Sequence, residues 1–586
     1  MNLLVQKFGG TSIGNVNRIK TVAKQIALSK QLGNDLVIVV SAMGDSTDDL
    51  TKLALEISKN PPPREMDMLL ATGEQVTIAL LAMALNELGV PATSMTGSQV
   101  GIITESAYGR ARILEIKTER ILELLNNGQV VVVAGFQGKS LGRGDTAEIT
   151  TLGRGGSDTS AVALAAALTA NACEIYTDVA GVLTTDPRKV SNAQLMKNIS
   201  CDEMLELASL GAAVLHPRAV EIARNYGVKL IVRSSWDNKN PGTTLTSKSK
   251  QSFGKEGLEL NRPVDGVELV DNQALISLSH IPDQPGIAAD LFETLSNGNI
   301  NVDLIVQSTH QGNINDISFT ISKDNLNSAK NLCQHLIKKF GGELTTQNEM
   351  TKISIRGAGI MGRPEIAAKF FETLSKVGIN LRLIATSEVK VSCVIDSNRS
   401  AKGLRCVSEA FDLKDNQITI NPKITTCNEP EVRGVALDPN QVQVSVINIP
   451  DIPGNAASLC QSLADAGISL DTIVQSEKKD NSNKKTISFT LNKQDRKNAD
   501  QSLIPLLEKW PEAYIEDGSG IARISCVGAG MPTSKGTAGR MFRSLANEKI
   551  NIKMIATSEI RTTCIIDEND GDTALKAVHN CFDLGL

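Results

Sequence analysis

The sequence lacks the features by which several classes of protein are recognised. Its ten cysteines never stand in a C-x-x-C spacing, and its five histidines form neither an H-E-x-x-H motif nor a close pair. We therefore expect no disulfide framework, no structural zinc and no metal site built on histidine. Cysteines scattered in this way fit a reducing, cytoplasmic location.

Long apolar runs and concentrated positive charge are missing as well. The apolar runs, such as Ile78–Leu85 and Ala161–Leu168, are much shorter than the roughly 18 residues needed to cross a bilayer. The first residues, MNLLVQKFGG, do not read as a secretory signal. The 60 basic and 65 acidic residues give a net charge of −5, and no long basic block interrupts them. We therefore expect neither a membrane nor a nucleic acid as a partner.

The first 246 residues alternate short apolar strands with helices. Leu3–Phe8, Leu36–Val40 and Val130–Ala134 are apolar along their whole length, and Ala161–Ala170 is an alanine-rich helix. Continuous apolar strands separated by helices predict an α/β domain with a mostly parallel sheet that is covered on both faces.

The remainder of the chain is a duplication. Asp283-Gln284-Pro285-Gly286 recurs as Asp451-Ile452-Pro453-Gly454, an offset of 168 (451 − 283), and IVQS at 305–308 recurs at 473–476 with the same offset. Each copy contains the pattern strand, loop, helix, turn, strand twice, which predicts four units of the βαββαβ size. The expected division is an α/β domain over 1–246, a linker over 247–263, units over 264–340 and 341–414, a linker over 415–432, and units over 433–508 and 509–586.

Two glycine-rich segments could bind an anion. Lys7-Phe8-Gly9-Gly10-Thr11-Ser12 follows the first strand, where glycines let backbone N–H groups approach a phosphate and the lysine adds a positive charge. It is not a Walker A loop, because Gly14 is followed by Asn15 and not by lysine. The segment 151–160 precedes the alanine-rich helix and contains three glycines, an arginine and an aspartate, although an ordinary helix cap would use similar residues.

Two further loops follow buried strands. Ser41-Ala42-Met43-Gly44, with Thr47 shortly after, follows one strand, and the segment 177–188 follows another. Ligands of open parallel sheets bind at the carboxyl ends of the strands, so we expect all four loops to gather there. Gly357–Gly362 satisfies the dinucleotide pattern G-x-G-x-x-G, but the duplicate Gly528–Thr533 loses the third glycine and each unit is too short for a Rossmann domain, so NAD binding is rejected.

The motifs occur in an order that resembles the aspartokinase family of the amino acid kinase superfamily. They are KFGGTS at 7–12, SAMGDSTDDL at 41–50, REMDMLLATGEQ at 64–75, GFQG at 135–138, TLGRGGSDTSAVALAAAL at 151–168 and TDVAGVLTTDPR at 177–188. The resemblance implies an amino acid kinase-like αβα sandwich followed by four ferredoxin-like ACT units in two tandem pairs. It also implies that the β-carboxylate of L-aspartate is phosphorylated by ATP with Mg²⁺ to 4-phospho-L-aspartate, the first step towards lysine, threonine and methionine.

The resemblance also implies roles for individual residues. Lys7 would neutralise phosphate charge during transfer, and Asp158 would organise Lys7 without acting as a base. The positions implied for the amino-acid substrate are Thr47, Glu74, Arg154, Gly155, Gly156 and Ser157. The positions implied for the nucleotide are Lys7, Phe8, Gly9, Gly10, Ser41, Thr177, Asp178, Leu183, Asp186 and Arg188. Two positions depart from the family pattern, since Ala213 stands where a lysine is usual and Leu183 where an aromatic residue is common.

The four small units resemble ACT domains, which bind amino acids between units. Lysine, threonine or both are the expected effectors, and contacts between ACT units of two chains would make a homodimer. The positions implied for effector binding are Asp283, Ala288, Asn301, Val302, Asp303, Gln307, Asn380, Asp451, Asp471, Gln475 and Asn551. Two alternatives stay open at this point: another phosphotransferase of the superfamily, acting on glutamate or a nucleotide, and an amino-acid sensor whose kinase domain has decayed.

Overall fold

The computed structural model describes most of the chain. The described residues are 2–141, 147–211, 214–237, 239–247, 257–259, 263–310, 314–360, 362–422, 429–470, 472–477, 484–518 and 520–586. They divide into two compact units. The first contains residues 1–183, 195–208 and 213–261, and the second contains 184–194, 209–212 and 262–586.

The first unit contains twelve strands and seven helices in its described part. The strands are β1 (Asn2–Phe8), β2 (Asn34–Val40), β3 (Ala92–Met95), β4 (Ile102–Thr104), β5 (Ile113–Ile116), β6 (Val130–Ala134), β7 (Gln137–Leu141), β8 (Ala147–Thr151), β9 (Ala172–Thr177), β10 (Asn198–Ser200), β11 (Leu230–Ser234) and β12 (Thr243–Thr246). The helices are α1 (Val16–Gln31), α2 (Ser46–Ile57), α3 (Pro63–Glu87), α4 (Glu119–Asn126), α5 (Gly156–Ala167), α6 (Cys201–Ser209) and α7 (Pro217–Tyr226).

The main sheet of this unit has the order β10-β12-β11-β9-β1-β2-β6-β3. All its pairings are parallel except that of β11 with β12. Leu36, Ile38 and Val40 of β2 pack into a core with α1 and α3, whereas Val37 and Val39 point to the opposite face and are equally buried. The prediction of a mostly parallel sheet covered on both faces is confirmed, and β5-β4-β7-β8 form a separate small sheet.

Helix α3 is the one helix, among the described residues, that is long and apolar enough to cross a membrane by length and composition. It carries Asp67 and Glu74, which are only 1% and 2% exposed, and it contacts α1, α2 and strands of the first unit. Its apolar side chains Ile78, Leu81 and Leu85 pack in the same core as β2 and β6. These contacts are those of a core helix of an α/β domain.

The second unit contains the remaining elements. Its strands are β13 (Gly266–Pro282), β14 (Val302–His310), β15 (Ile314–Ser322), β16 (Glu343–Arg356), β17 (Leu383–Thr386), β18 (Lys390–Asp396), β19 (Ile418–Ile420), β20 (Gly434–Asp438), β21 (Gln441–Pro450), β22 (Thr472–Glu477), β23 (Lys484–Asn492), β24 (Tyr514–Gly518), β25 (Ile521–Val527), β26 (Met554–Thr557) and β27 (Arg561–Asp567). Its helices are α8 (Ile287–Asn297), α9 (Leu326–Phe340), α10 (Pro364–Lys376), α11 (Ser400–Ala410), α12 (Asn455–Asp465), α13 (Arg496–Lys509), α14 (Thr537–Asn547) and α15 (Gly571–Cys581).

These elements form four α+β modules, as the duplication predicts. Module 1 contains α8, β14, β15 and α9, module 2 contains α10, β17, β18 and α11, module 3 contains β21 to β24 with α12 and α13, and module 4 contains β20 and β25 to β27 with α14 and α15. The long strands β13 and β16 serve both modules 1 and 2: Gly266–Val270 pairs with the second half of β16, and Gln273–Pro282 pairs with β15.

The modules associate across the chain order. In modules 1 and 4, β14 pairs antiparallel with β26 and α8 packs on α14. In modules 2 and 3, α10 packs on α12 and β17 contacts β22. Since modules 1 and 3 are copies of each other, as are modules 2 and 4, the two pairs are equivalent. The tandem order of the modules does not by itself tell which modules pair, and the contacts show that the first joins the fourth and the second joins the third.

Candidate functional site

A lysine and an aspartate from two different elements meet at the carboxyl end of the main sheet. Lys7 is the penultimate residue of β1, and its Nζ lies 2.5 Å from Oδ1 of Asp158. Asp158 is in the first turn of α5, where the helix dipole favours a carboxylate. Both side chains are largely shielded, with exposed fractions of 11% and 13%. The aspartate therefore fixes an ammonium group at the point where the strand-end loops converge.

The loops after β1 and β2 are joined by backbone hydrogen bonds. Ser41 N–H donates to the Phe8 carbonyl at 3.2 Å, and Gly44 N–H donates to the Gly10 carbonyl at 3.1 Å. A Cβ atom on Gly10 would lie 2.9 Å from the Ala42 carbonyl oxygen, so only glycine permits this approach. The predicted phosphate loop and the Ser41 loop therefore form one surface.

The side chain of Phe8 lies in the core, away from the predicted nucleotide loop. Its ring is fully buried and stacks on the ring of Tyr176, with centroids 4.7 Å apart. Only its backbone faces the loop, through the carbonyl that accepts from Ser41. The phenylalanine side chain belongs to the core because β1 is a central strand of a sheet covered on both faces.

The second glycine-rich segment forms a turn that requires glycine. Gly153 and Gly155 have φ angles of +78° and +68°, in the left-handed region that favours glycine. A Cβ atom on Gly155 would lie 2.1 Å from Cγ of His216. Arg154 stands between the two glycines and is exposed, whereas Ser157 is buried beside Gly135. The turn thus presents an arginine to solvent directly before α5, whose first residue is Gly156.

Glu74 lies inside α3 and reaches the Ser41 loop. Its Oε1 accepts from the Ala42 N–H at 3.0 Å, and its Oε2 is buried with no hydrogen-bond partner among the described residues. Burial raises the pKa of Glu74 to about 7 in spite of this hydrogen bond. Thr47, half-buried at the start of α2, follows the same loop. A buried carboxyl with one unused oxygen is suited to accept from an ammonium group.

Sequence reasoning missed the residues that hold the glycine turn in place. Asp67 is 1% exposed and accepts from the Thr151 N–H at 2.8 Å, the Thr151 hydroxyl at 2.7 Å and the Gly109 N–H at 3.0 Å. Arg218 donates to the Leu152 carbonyl and pairs with Glu259 at 2.9 Å. Asp67 is part of the REMDMLLATGEQ motif, but its partners Gly109 and Thr151 are 42 and 84 residues further along the chain, and no sequence pattern connects them to it.

The remaining predicted nucleotide positions fall in both compact units. Thr177 ends β9 and donates to the carboxylate of Asp178 at 3.1 Å, and Leu183 forms an isolated bridge with Leu195 in the first unit. Asp186 and Arg188 belong to the second unit, where they pair at 2.8 Å and this pairing lowers the pKa of Asp186. Ala213 lies outside the described residues.

Two equivalent cavities lie between the paired modules. The 1–4 cavity, between modules 1 and 4, is lined by residues that include Gly286, Ala288, Gln307, Asn315, Asn551 and Ile552. The 2–3 cavity, between modules 2 and 3, is lined by residues that include Asn380, Leu381, Asp451, Gly454, Gln475 and Lys485. In each, the D-x-P-G turn precedes a helix whose N-terminal N–H groups favour an anion such as a carboxylate.

Comparison with known proteins agrees with this architecture. The family model described as the amino acid kinase family matches residues 2–234, and the model described as the ACT domain matches residues 277–335, 353–411 and 524–582. The aspartokinase of Bacillus sp. (strain MGA3) is 49% identical over 421 residues, which cover 71% of this chain and 99% of that protein. The aspartokinase of Thermus thermophilus is 46% identical over 415 residues, which cover 70% of this chain and 99% of that protein.

The chain belongs to the aspartokinase family. A crystal structure of aspartate kinase from Synechocystis matches with a TM-score of 0.86 and 50% identity, and the match covers 100% of this chain and 98% of that one. As a member of the aspartokinase family, the chain is a kinase with a catalytic domain followed by ACT repeats.

Most of the predicted effector positions line the two ACT cavities. Ala288, Gln307 and Asn551 line the 1–4 cavity, and Asn380, Asp451 and Gln475 line the 2–3 cavity. Asp283 adjoins the 1–4 cavity, because its Oδ1 accepts from the amides of Asn315 and Asn551 at 2.7 and 2.8 Å. Asp471 lies outside the described residues.

Three predicted effector positions lie elsewhere. Asn301 is exposed, Val302 packs against the core of modules 1 and 4, and the carboxylate of Asp303 pairs with the ammonium of Lys352. The counterparts of Asn301 and Val302 in the other pair, Ser469 and Leu470, line a third cavity together with Arg363 and Glu388. An effector role for these three residues stays a prediction.

Proposed function

We propose that this aspartokinase transfers the γ-phosphoryl group of ATP to the β-carboxylate of L-aspartate and so forms 4-phospho-L-aspartate. The observation that carries the proposal is the Lys7–Asp158 pair at the strand ends, between the two glycine turns. The names of the relatives support aspartate as the acceptor.

The chemistry requires charge cancellation more than proton transfer. A carboxylate is already ionised at neutral pH, so its oxygen can attack the γ-phosphorus while the bond to the bridging oxygen of ADP breaks, and no general base is needed. Two anions must nevertheless meet in line, and the cost of their repulsion has to be offset by positive groups placed in advance. Lys7, held by Asp158, supplies such a group, and the exposed Arg154 can clamp a substrate carboxylate with its planar fork.

Magnesium would arrive with the nucleotide. The described residues contain no group of three or more His, Cys, Asp or Glu side chains that could hold a metal ion. Mg²⁺ in kinases is usually held by substrate phosphates with only one or two carboxylates, so the residues present fit a cation carried by ATP.

We further propose that amino acids inhibit the kinase by binding the ACT cavities. Lysine and threonine are the effectors to test, because the reaction opens the route to both. Binding there would bias the enzyme between active and inhibited arrangements through a coupling free energy. The same proposal includes a cytoplasmic location and a homodimer formed through ACT modules, which light scattering would test as twice the mass of the chain.

The activity is tested with ATP, hydroxylamine and either L-aspartate or L-glutamate. Hydroxylamine traps an acyl phosphate as a coloured hydroxamate, so product with aspartate and none with glutamate is the expected result. Hydroxamate formed only with glutamate, or a rate of ADP release that does not depend on aspartate, would refute the proposed acceptor. Lysine and threonine added singly and together to the same assay test the regulatory half.

A further inference from the structure

The two ACT cavities come from duplicated modules, and they differ in the polar residue that contacts the D-x-P-G aspartate. A D-x-P-G aspartate adjoins the 1–4 cavity and another lines the 2–3 cavity, and each accepts from an asparagine amide of the partner module: Asn551 donates to Asp283 at 2.8 Å, and Asn380 donates to Asp451 at 2.8 Å. Gln307 and Gln475 each donate to a backbone carbonyl of the partner module at 2.7 Å. The cavities can therefore be compared residue by residue.

The strand registers align Asn315 of the 1–4 cavity with Lys485 of the 2–3 cavity. In module 1, Asn315 of β15 is opposite Ile281 of β13. In module 3, Lys485 of β23 is opposite Ile449 of β21. Ile281 and Ile449 are two residues before Asp283 and Asp451 respectively, so Asn315 and Lys485 occupy the same place in the two copies.

The 1–4 cavity contains unused acceptors, and none of its described lining residues is a lysine or an arginine. Oε1 of Gln307 and Oδ1 of Asn315 are buried and have no hydrogen-bond partner among the described residues, and the two side chains are 2% and 5% exposed. Asp283 accepts from the neutral amides of Asn315 and Asn551, and no Lys or Arg in the described part of the chain pairs with it. A carboxylate with neutral neighbours and two idle acceptors is a site for a ligand that brings donors and positive charge.

In the 2–3 cavity an internal ammonium group already occupies this place. Nζ of Lys485 lies 2.8 Å from Oδ1 of Asp451 and donates to the Leu381 carbonyl at 2.5 Å. Its side chain is only 5% exposed. The equivalent carbonyl in the 1–4 cavity, that of Ile552, accepts from Gln307. Lys485 thus gives Asp451 a cationic partner, whereas Asp283 has no such partner among the described residues.

We propose that Lys485 substitutes for the ammonium group of an effector, so that the 1–4 cavity binds a free α-amino acid and the 2–3 cavity does not. The inference deepens the regulatory half of the proposed function and rests on it for the identity of the ligand. Of the two D-x-P-G turns in each chain, the turn at Asp283 then binds an amino acid. The turn at Asp451 does not, because Lys485 occupies the place of the ligand's ammonium group.

The physical reason is repulsion between like charges at a shielded position. An α-amino acid brings its own ammonium group, which in the 2–3 cavity would approach Lys485 and find the Asp451 charge already neutralised. Like charges brought together in a desolvated site weaken binding by about 100-fold or more. In the 1–4 cavity the same group gains Asp283, Asn315 and Gln307 as acceptors.

The first test gives the 2–3 cavity the asparagine that the 1–4 cavity has at this place. Calorimetric titration of the full-length protein with L-threonine, and separately with L-lysine, counts the sites before and after Lys485→Asn. We expect the number of bound ligands per chain to rise by one for at least one of the two amino acids. The gain should persist when Asp283→Ala removes the 1–4 site, which locates it at Asp451. A folded Lys485→Asn protein that gains no site for either ligand overturns the inference.

The reciprocal change keeps the inference testable if Lys485→Asn does not fold. Asn315→Lys should place an ammonium group beside Asp283 and reduce affinity at the 1–4 cavity by about 100-fold or more. Lys484→Asn, at the position before Lys485, is the control and should change neither the number of sites nor their affinity. Affinity retained after Asn315→Lys, or a wild-type chain that binds neither amino acid, overturns the inference. Binding without inhibition of the kinase would instead refute the proposed regulation and leave the role of Lys485 intact.

Discussion

The ammonium group of Lys7 is held 2.5 Å from the carboxylate of Asp158, and both side chains are nearly nine-tenths shielded from solvent. One residue comes from the end of β1 and the other from the start of α5, so the pair joins the two glycine-rich loops of the catalytic domain. The position of the lysine is set before substrates bind, which is what electrostatic stabilisation of a transferred phosphoryl group requires.

Removing the charge of Lys7 should therefore abolish most of the activity. Lys7→Met keeps much of the side-chain volume, and we expect kcat to fall by about 10²- to 10³-fold or more because the transferred group loses its fixed cation. Hydroxamate formation measures the effect. Lys20→Met, on the exposed face of α1, is the matched control and should leave kcat unchanged. Equal rates for Lys7→Met and wild type would remove Lys7 from the mechanism.

The raised pKa of Glu74 predicts how the binding of aspartate depends on pH. Its pKa is raised to about 7 by burial, so the carboxyl is largely neutral at pH 6 and ionised at pH 8 in the free enzyme. If the carboxylate accepts from the substrate ammonium group, the KM for aspartate falls as the pH rises through about 7. Glu74→Gln should flatten this profile, and Glu56→Gln, exposed on α2, should retain it. A KM profile that Glu74→Gln leaves unchanged would contradict the role.

The same group gives a stability prediction with a definite sign. The folded pKa of Glu74 lies above its unfolded value of 4.5, so its contribution to stability is lost as the pH rises from about 4.5 to about 7. The shift lowers the free energy of unfolding by about 3 kcal/mol, and this loss is complete above pH 7. The melting temperature of Glu74→Gln minus that of wild type should therefore be larger at pH 8 than at pH 5. An offset that does not change between these two pH values would rule out a buried, neutral Glu74.

The glycine turn offers a matched pair of substitutions. Gly155 and Gly89 have similar positive φ angles of +68° and +72°, but a Cβ at Gly155 would collide with His216, whereas Gly89 has nothing within 4 Å. Gly89→Ala should cost about 1–2 kcal/mol for the left-handed backbone alone. Gly155→Ala should lower the melting temperature further and also reduce kcat, because the turn that presents Arg154 must move. Identical effects of both substitutions would show that the contact with His216 is unimportant.

The sequence predicts that the glycine-rich loops gather at the strand ends because the residues of each loop are close together in the chain. Lys7 with Gly9 and Gly10, and Arg154 with Asp158, each stand within one short segment that joins a strand to a helix, so their common location follows from the parallel sheet. The hydrogen bonds that hold these loops in place connect residues that are far apart in the chain. The bonds from Asp67 to Thr151 connect residues 84 positions apart, and no spacing rule contains them.

In the ACT modules, too, the sequence alone does not show which residues are equivalent or which modules pair. The offset of 168 residues aligns Asp283 with Asp451, but the offset between Asn315 and Lys485 is 170 (485 − 315), so a comparison at constant offset misses the pair. Only the strand registers align them. The association of module 1 with module 4 likewise depends on tertiary contacts between copies that are nearly identical in pattern.

A cluster of charges between the modules gives the last prediction. The carboxylate of Glu559 in module 4 pairs with the ammonium of Lys390 in module 2, and Lys390 also lies 2.5 Å from Glu268 of β13. Burial opposes ionisation of Glu559, but Lys390 and Lys352 outweigh it and lower the pKa of Glu559 to about 2. The stabilisation from Glu559 is therefore present above about pH 4.5 and is lost as the pH falls towards 2.

Glu559→Gln should accordingly destabilise the ACT modules at neutral pH and less so in acid. We expect a loss of about 1–3 kcal/mol, below that of a fully buried pair, because the Glu559 side chain is 37% exposed and Lys390 keeps Glu268 as a partner. Calorimetric melting at pH 7 and pH 3 measures the loss, which should shrink at pH 3. Glu548→Gln, exposed at the end of α14, is the control and should melt like wild type at both pH values. A deficit of the same size at pH 3 and pH 7 would mean that the glutamate stabilises the modules through packing and not through its charge.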